Sequence, residues 1–135
     1  MTHRFALRVY YEDTDLAGIV YYANYLKFIE RARSEWVRAM GVDQKALKSG
    51  AGLVFAVRRL VADYLRPAIY DDLLEVRTAP KAVSGARIVL DQSVWRGEDR
   101  LFEAEVTLVC LGAAGAPARL PEPLRSRFMA SLPTP

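Results

Sequence analysis

The sequence predicts an α+β fold in which a five-stranded antiparallel sheet wraps around one long central helix. Two observations support this prediction: one helical segment is apolar over most of its circumference, and five other segments alternate between apolar and polar residues. Such a helix must be covered by other structure, and one curled sheet can cover it. Because 135 residues fit one core rather than two, we expect residues 1–135 to form a single domain.

Alternation near the N-terminus predicts the first strand. Its apolar side chains share one face, and they are Phe5, Leu7, Val9 and Tyr11. Residues 12–18 are acidic and contain a glycine, which is typical of a loop. This loop leads directly into the long helix.

The long helix is expected to run from Tyr22 or Asn24 to Met40, with Asn24 as its N-cap and Gly41 as its terminator. Its apolar stripe and flanks are Tyr25, Ile29, Ala32, Trp36 and Met40, then Phe28, Ala39, Leu26 and Val37. Arg33 lies inside this apolar sector. We expect Arg33 to pair with a buried carboxylate rather than to contact a substrate.

The remainder of the chain is expected to be mainly β structure after a short helical turn at residues 42–48. The predicted strands are residues 53–65, 73–80, 86–96 and 101–111. Residues 81–85 and 97–99 are short enough to connect antiparallel hairpins. Residues 112–135 hold five of the seven prolines, so we expect a C-terminal loop with a short helix near residues 123–130.

Composition excludes several classes of protein. The net charge of +3 comes from scattered basic residues, which does not fit a nucleic-acid interface. No apolar stretch is long enough to span a membrane, and residues 1–4 do not begin a secretory signal, so we expect a cytoplasmic protein. Cys110 is the single cysteine, and its place on an apolar strand face predicts a core residue.

Residues 10–25 carry the residues best suited to chemistry. Glu12, Asp13 and Asp15 precede the start of a buried helix, where backbone N–H groups lack partners and carry partial positive charge. Hydrolysis of an acyl group needs a residue that attacks the carbonyl or activates water, and donors for the oxyanion that develops. An aspartate and a helix N-terminus can supply both, and Gly18 would let the backbone approach an acyl group.

The same residues also fit plainer interpretations. Asp13 and Asp15 are residue types that form Asx turns or cap helices, and Asp13 is expected to fix the loop by accepting backbone N–H bonds. The carboxylate spacing matches no calcium loop, and no nearby His or Cys supports zinc or iron. We therefore expect no metal.

Residues 11–25 spell Tyr-x-Asp-Thr-Asp-x-x-Gly-x-Val-Tyr-x-x-x-Tyr, and residues 28–33 spell Phe-x-Glu-Arg-Ala-Arg. These motifs resemble the 4-hydroxybenzoyl-CoA thioesterase family, whose members have the hotdog fold. Within that family, the sequence looks most like the branch of acyl-CoA thioesterases associated with the Tol-Pal system of Gram-negative bacteria. Residues 55–59 and 66–75 are similar to that branch as well, so the resemblance spans nearly the whole chain.

The resemblance implies hydrolysis of an acyl-CoA to a free acid and CoA, with CoA as part of the substrate and no cofactor. Asp15 would be the catalytic carboxylate, acting as nucleophile or general base. The backbone N–H of Tyr22 would polarise the thioester carbonyl. The candidate substrate-binding residues are Gly18, Val20, Tyr21 and Asn24. Tyr25 is expected to belong to the core.

The resemblance also implies a homodimer or homotetramer with active sites at subunit interfaces and with the CoA phosphates at the surface. The candidates for contacting those phosphates are Arg58, Arg59 and Arg87. Many members of the Tol-Pal branch carry His where this chain has Tyr22, which leaves the preferred acyl group open.

Three alternatives to acyl-CoA hydrolysis stay open. They are hydrolysis of acyl carrier protein thioesters, a non-catalytic acyl-binding subunit, and a dehydratase. The last would need a His base, and His3 is the only histidine, expected to be exposed and inert.

Overall fold

The computed structural model describes residues 2–133, and the elements follow the predicted order. Strand β1 (His3–Arg8) and a 3-10 turn (Tyr11–Asp13) precede helix α1 (Asn24–Ala39) and helix α2 (Gln44–Ala51). Four strands follow: β2 (Val54–Tyr64), β3 (Leu73–Val83), β4 (Arg87–Arg96) and β5 (Asp99–Leu111). A second 3-10 turn (Ala113–Gly115) leads to helix α3 (Glu122–Ala130).

The five strands form one antiparallel sheet in the order β1-β3-β4-β5-β2. Helix α1 packs on one face of this sheet, as predicted. Strands β1 and β2 are the two edges of the sheet. The loop after β1 and the end of β2 both contact the start of α1, through Asp13 and Tyr64.

The core lies between α1 and the inward face of the sheet. The buried side chains of α1 are Tyr25, Phe28, Ile29, Ala32, Trp36 and Val37. Sheet residues such as Val76, Leu90 and Val106 are completely buried against them, and each such side chain stabilises the fold by roughly 1.5–3 kcal/mol. Leu26 and Ala39 are exposed, so the covered sector of α1 is narrower than its sequence predicts.

Arg33 contacts an amide instead of the expected carboxylate, and that prediction is wrong. Arg33 Nη1 donates to Gln92 Oε1 at 3.0 Å. The buried Gln92 Nε2 in turn donates to the Ile29 carbonyl oxygen and to Thr78 Oγ1, both at 2.9 Å. Burial lowers the pKa of Arg33, an effect that the Glu30 charge opposes.

Strand β1 ends three residues earlier than its alternation predicts. Tyr11 is 82% exposed and begins the 3-10 turn, so it does not share a face with Phe5 and Leu7. The turn is favoured because Asp13 Oδ2 accepts the Tyr10 N–H at 2.8 Å, a local bond that competes with strand pairing.

Asn24 is the first residue of α1 and not its N-cap, which corrects the prediction. Ala23 occupies the cap position and makes no side-chain cap bond. The Asn24 side chain is used elsewhere, because its Nδ2 donates to the Asp13 carbonyl oxygen at 2.9 Å. Gly41, with φ of +82°, follows the helix end at Met40, so the predicted terminator is confirmed.

Two further boundaries move for identifiable reasons. The side chain of Asp43 accepts the N–H groups of Lys45 and Ala46, so α2 starts later than predicted. It also ends later, because the left-handed C-cap is Gly52. Strand β3 continues past Pro80 because β1 pairs only as far as Thr78, and the register against β4 shifts just after Pro80.

The predicted C-terminal helix is confirmed as α3. Its Phe128 stacks on Trp36 with ring centroids 5.3 Å apart, which closes one end of the core. Across residues 2–133, no helix combines the length and apolarity that crossing a membrane requires.

Candidate active site

Asp13 organises the loop between β1 and α1. Besides the bond from the Tyr10 N–H to its carboxylate, its carbonyl oxygen accepts the Tyr21 N–H at 2.9 Å. The Asn24 side chain donates to the same carbonyl oxygen. Asp13 therefore joins the beginning of the loop to the first turn of α1, and its predicted role in fixing the loop is confirmed.

Asp15 begins a tight turn in the same loop. Its N–H donates to the Ile19 carbonyl at 2.9 Å, and its own carbonyl accepts the Gly18 N–H at 3.0 Å. Asp15 Oδ1 accepts the Ala17 N–H at 2.9 Å, which is an Asx turn. Gly18 has φ of +82°, a conformation that disfavours residues with a side chain.

The Asx turn uses only one of the two carboxylate oxygens of Asp15. In the described part of the chain, Oδ2 has no hydrogen-bond partner. A half-buried carboxylate with one oxygen held by the backbone and the other open is oriented, and it can still attack a carbonyl or accept a proton from water.

The residues just before α1 leave a backbone donor open beside this carboxylate. The Tyr21 N–H donates to Asp13, and the Asn24 N–H donates to the Tyr21 carbonyl oxygen at 2.8 Å. No backbone hydrogen bond between described residues uses the Tyr22 N–H. A free N–H at a helix N-terminus is suited to stabilise developing negative charge.

Asp15 and the helix start share one cleft of about 370 Å³. Its lining residues are Asp15, Ile19, Val20, Tyr21, Tyr22, Tyr25, Tyr64, Leu65, Arg66 and Pro67. A mostly apolar wall with few polar groups is typical of a small-molecule site.

The structure brings four of the six predicted site residues together. They are Asp15, Val20, Tyr21 and Tyr22. Gly18 and Asn24 do not line the cleft: Gly18 shapes the turn that presents Asp15, and Asn24 holds the loop through Asp13.

One wall of the cleft consists of contacting aromatic rings. The Tyr22 ring lies 4.9 Å from the Tyr21 ring and 6.1 Å from the Tyr64 ring, measured between centroids. Tyr25 stacks on Phe102 at 5.1 Å and is only 3% exposed, so its predicted core position is confirmed. Burial is the main cause that raises the pKa values of both Tyr25 and Tyr64, so both hydroxyls keep their protons over a wider pH range.

Residues 64–67, at the end of β2 and just after it, also line the cleft and were missed from sequence. Ala68 joins this segment to the loop between β1 and α1, because its carbonyl oxygen accepts the Val20 N–H at 2.8 Å. Its own N–H donates to the Tyr25 hydroxyl oxygen at 3.1 Å. Arg96 braces the same segment by donating to Asp72 Oδ2 at 2.8 Å and to the Pro67 carbonyl oxygen at 3.3 Å. Only the pairing of β2 and β5 brings this segment to α1, and no local pattern reveals it.

The basic residue that lines the cleft is Arg66, which forms an exposed ion pair with Asp99 at 3.2 Å. The three arginines predicted to contact CoA, Arg58, Arg59 and Arg87, are exposed and do not line it.

Two sequence expectations concern groups outside the cleft. Cys110 is buried in the core, as predicted, and burial raises its pKa. His3 is half-buried with its Nδ1 enclosed, which corrects the expectation of an exposed side chain. This happens because His3 lies in β1 opposite Thr78 of β3.

The described residues, His3 among them, form no metal-binding cluster. Within residues 2–133, no three His, Cys, Asp or Glu side chains come close enough to hold a metal ion.

A sheet wrapped on a helix, with a carboxylate beside the helix N-terminus, defines a hotdog protein, and the fold prediction is confirmed. The chain belongs to the thioesterase superfamily, a class of thioester hydrolases, whose family profile matches residues 17–103. The resemblance stated from the sequence motifs is thereby confirmed at the level of the family.

Several relatives are similar over almost the entire chain. The acyl-CoA thioesterase YbgC of Haemophilus influenzae is 40% identical over 125 residues, which cover 92% of each chain. The acyl-CoA thioester hydrolase YbgC of Escherichia coli is 39% identical over 127 residues, covering 93% of this chain and 94% of that one. The crystal structure of a probable thioesterase from Bartonella henselae is 40% identical, covers 90% of this chain and 100% of its own, and has a TM-score of 0.86.

Proposed function

We propose that this chain hydrolyses acyl-CoA thioesters to a free acid and CoA. The observation that carries the proposal is the shared cleft of the Asp15 carboxylate and the Tyr22 backbone at the start of α1. The apolar and aromatic wall suits an acyl group, and the names of the relatives from Haemophilus influenzae and Escherichia coli support CoA as the carrier.

In the proposed reaction, the Tyr22 N–H donates a hydrogen bond to the thioester oxygen as negative charge develops there. Asp15 then acts in one of two ways. As nucleophile, it attacks the carbonyl carbon, CoA leaves as a thiolate, and water hydrolyses the resulting mixed anhydride. As general base, it takes a proton from water, and the hydroxide attacks the same carbon while CoA leaves.

The remaining predicted residues have supporting parts in this proposal. Val20 and Tyr21 border the acyl group, Gly18 shapes the turn of Asp15, and Asn24 holds that loop to α1. Neither a metal nor a prosthetic group takes part, and CoA is bound only as substrate. The CoA phosphates lie at the surface, where Arg66 joins Arg58, Arg59 and Arg87 as a candidate contact.

The proposal includes assembly into a homodimer or homotetramer. Strand β2 is an edge strand of 11 residues, and its outward backbone groups have no strand partner among residues 2–133. It also presents exposed apolar side chains, including Val57 and Val61. A long edge strand with exposed apolar side chains is an aggregation hazard unless another strand covers it, and a second copy of β2 supplies one.

Cytoplasmic location and association with the Tol-Pal system stay predictions from the sequence. Fractionation of cells that express the tagged chain tests the location. Co-purification with Tol-Pal components tests the association.

The decisive experiment measures thiol release from a panel of aliphatic and aromatic acyl-CoAs and acyl carrier protein thioesters. We expect turnover of CoA thioesters, and we expect Asp15→Asn to lower kcat by about a hundredfold or more, as loss of an essential base or nucleophile does. Glu12→Gln is the matched control, because it removes a neighbouring exposed carboxylate.

Each contrary outcome selects an alternative. Full activity in Asp15→Asn would remove the proposed mechanism. Turnover of carrier-protein thioesters alone would establish the other substrate, and binding without turnover would establish a non-catalytic subunit. Single turnover in ¹⁸O-water, followed by mass spectrometry of the residue 10–24 peptide, tests the nucleophilic role: label in Asp15 requires an anhydride that water has opened at the Asp15 carbonyl carbon.

A further inference from the structure

Tyr64 is the last residue of β2, and its hydroxyl donates a hydrogen bond to the Tyr22 carbonyl oxygen at 2.9 Å. We propose that Tyr64 is a positioning residue, which fixes the peptide groups of Tyr22 so that the Tyr22 N–H stays directed at the thioester oxygen. This inference rests on the proposed function and deepens it. It gives a role to a side chain 42 positions away from the helix start.

The backbone of Tyr22 is held from both sides. On one side, the Tyr21 carbonyl accepts the Asn24 N–H, and the peptide bonds of the described residues are all trans. The Tyr22 N–H belongs to that same peptide, so it must point the opposite way, outward from the start of the helix. On the other side, the Tyr22 carbonyl is held by Tyr64.

The Tyr64 hydroxyl takes the place of a missing helical bond. In a regular α-helix, the Tyr22 carbonyl would accept the Leu26 N–H. Here the Leu26 N–H donates to the Ala23 carbonyl at 3.2 Å, which makes the first turn tighter. Without the Tyr64 hydroxyl, the Tyr22 carbonyl oxygen would lose this hydrogen bond, and the first turn would fray.

The Tyr64 ring is itself held in place. It makes edge contacts with the rings of Tyr25 and Phe102, with centroids 5.6 and 5.1 Å away. Both partners are buried, and they stack on each other. The hydroxyl at the end of this ring is therefore a fixed donor.

Removing only this hydroxyl tests the inference. A net hydrogen bond contributes roughly 0.5–1.5 kcal/mol, so we expect Tyr64→Phe to lower kcat by about two- to tenfold. KM should change by less than about twofold, because the ring that borders the acyl group remains. Tyr70→Phe is the matched control, because Tyr70 is exposed and lies outside the cleft, and it should keep wild-type kcat.

Hydrogen exchange provides a second readout that does not depend on turnover. In Tyr64→Phe, amides in residues 20–28 should exchange faster than in wild type, while residues 88–94 in the middle of the sheet should not. Tyr70→Phe should leave both segments unchanged.

The outcomes separate this inference from the proposed function. Wild-type kcat in Tyr64→Phe would overturn the positioning role, and so would a rise in KM with unchanged kcat. If the wild-type chain hydrolyses no thioester, the proposed function fails. In that case hydrogen exchange still tests whether Tyr64 stabilises the helix start. Unchanged amide exchange in residues 20–28 of Tyr64→Phe would overturn that stabilising role, and faster exchange would support it.

Discussion

Asp13 and Asp15 lie two residues apart in one loop, yet their carboxylates have different surroundings. Asp13 accepts the Tyr10 N–H with its carboxylate and two further donors with its carbonyl oxygen. Its role is therefore structural: it holds the loop in shape. Asp15 keeps one carboxylate oxygen available at a cleft. The chemistry of the residue type is identical, and only the hydrogen-bond geometry separates the two roles.

Replacing Asp13 should therefore loosen the loop. We expect Asp13→Ala to lower the free energy of unfolding by about 1 kcal/mol, because the exposed bond from the Tyr10 N–H to a charged acceptor is lost. It should also reduce kcat, because Asp15 and Tyr22 are no longer held at a fixed separation. Urea unfolding and thiol-release kinetics check both effects.

Glu12→Ala is the control for this prediction, because Glu12 is the exposed neighbour in the same 3-10 turn. Equal loss of stability in the two variants would show that the loop depends on net charge rather than on the bond to Asp13.

At the scale of elements, helix α1 ends because of one glycine. Gly41 has φ of +82°, and a Cβ built there would lie 2.8 Å from an Arg127 guanidinium nitrogen. That guanidinium donates to the Met40 and Gly41 carbonyl oxygens, so α3 also caps the C-terminus of α1. This termination and the contact with α3 depend on the same residue.

Substitution of two glycines by alanine should have opposite effects. Gly41→Ala should destabilise the chain by about 1–2 kcal/mol, the cost of a left-handed conformation for a residue with a Cβ. Gly50→Ala should stabilise it by roughly 0.5–1 kcal/mol, because Gly50 lies inside α2 and a Cβ there meets open space. Thermal unfolding of both variants checks the signs, and destabilisation by Gly50→Ala would contradict the helical environment assigned to it.

The elements themselves could be predicted because their patterns are local and repeated. All five strands and the three helices lie within a few residues of their predicted positions. The errors fall where one hydrogen bond decides the outcome. Tyr11 leaves the strand because Asp13 bonds to the Tyr10 N–H, and Asn24 is no cap because its amide reaches the Asp13 carbonyl.

Contacts between distant parts of the chain could not be predicted in this way. The buried partner of Arg33 was expected to be a carboxylate, since the sequence shows that a partner is required but not which strand supplies it. Tyr64 and Arg66 reach the cleft only through the pairing of β2 with β5. The part of the site between residues 15 and 25 is one continuous segment, which a sequence motif can reveal. Residues 64–67 join it only when the chain is folded.

At the scale of the whole molecule, the exposed edge strand predicts self-association. We expect Val57→Lys and Val61→Lys to shift the chain towards monomer, because a charge in place of an exposed valine on this edge opposes pairing with a second β2. Sedimentation velocity over a range of concentrations measures the shift.

Met129→Lys is the control for this prediction, because it places the same charge on an exposed apolar residue of α3, away from the edge. It should leave the oligomeric state unchanged. A wild-type chain that sediments as a monomer at high concentration would contradict the proposed assembly.

The single thiol of the chain has a practical consequence. Cys110 is 1% exposed, and its raised pKa disfavours the reactive thiolate. A thiol reagent added to the native protein therefore reacts only with the CoA that turnover releases. The same thiol becomes accessible when β5 separates from the core. The rate at which Cys110 is labelled in the absence of substrate therefore reports how often the core around β5 unfolds locally. The single thiol is an internal probe of that unfolding.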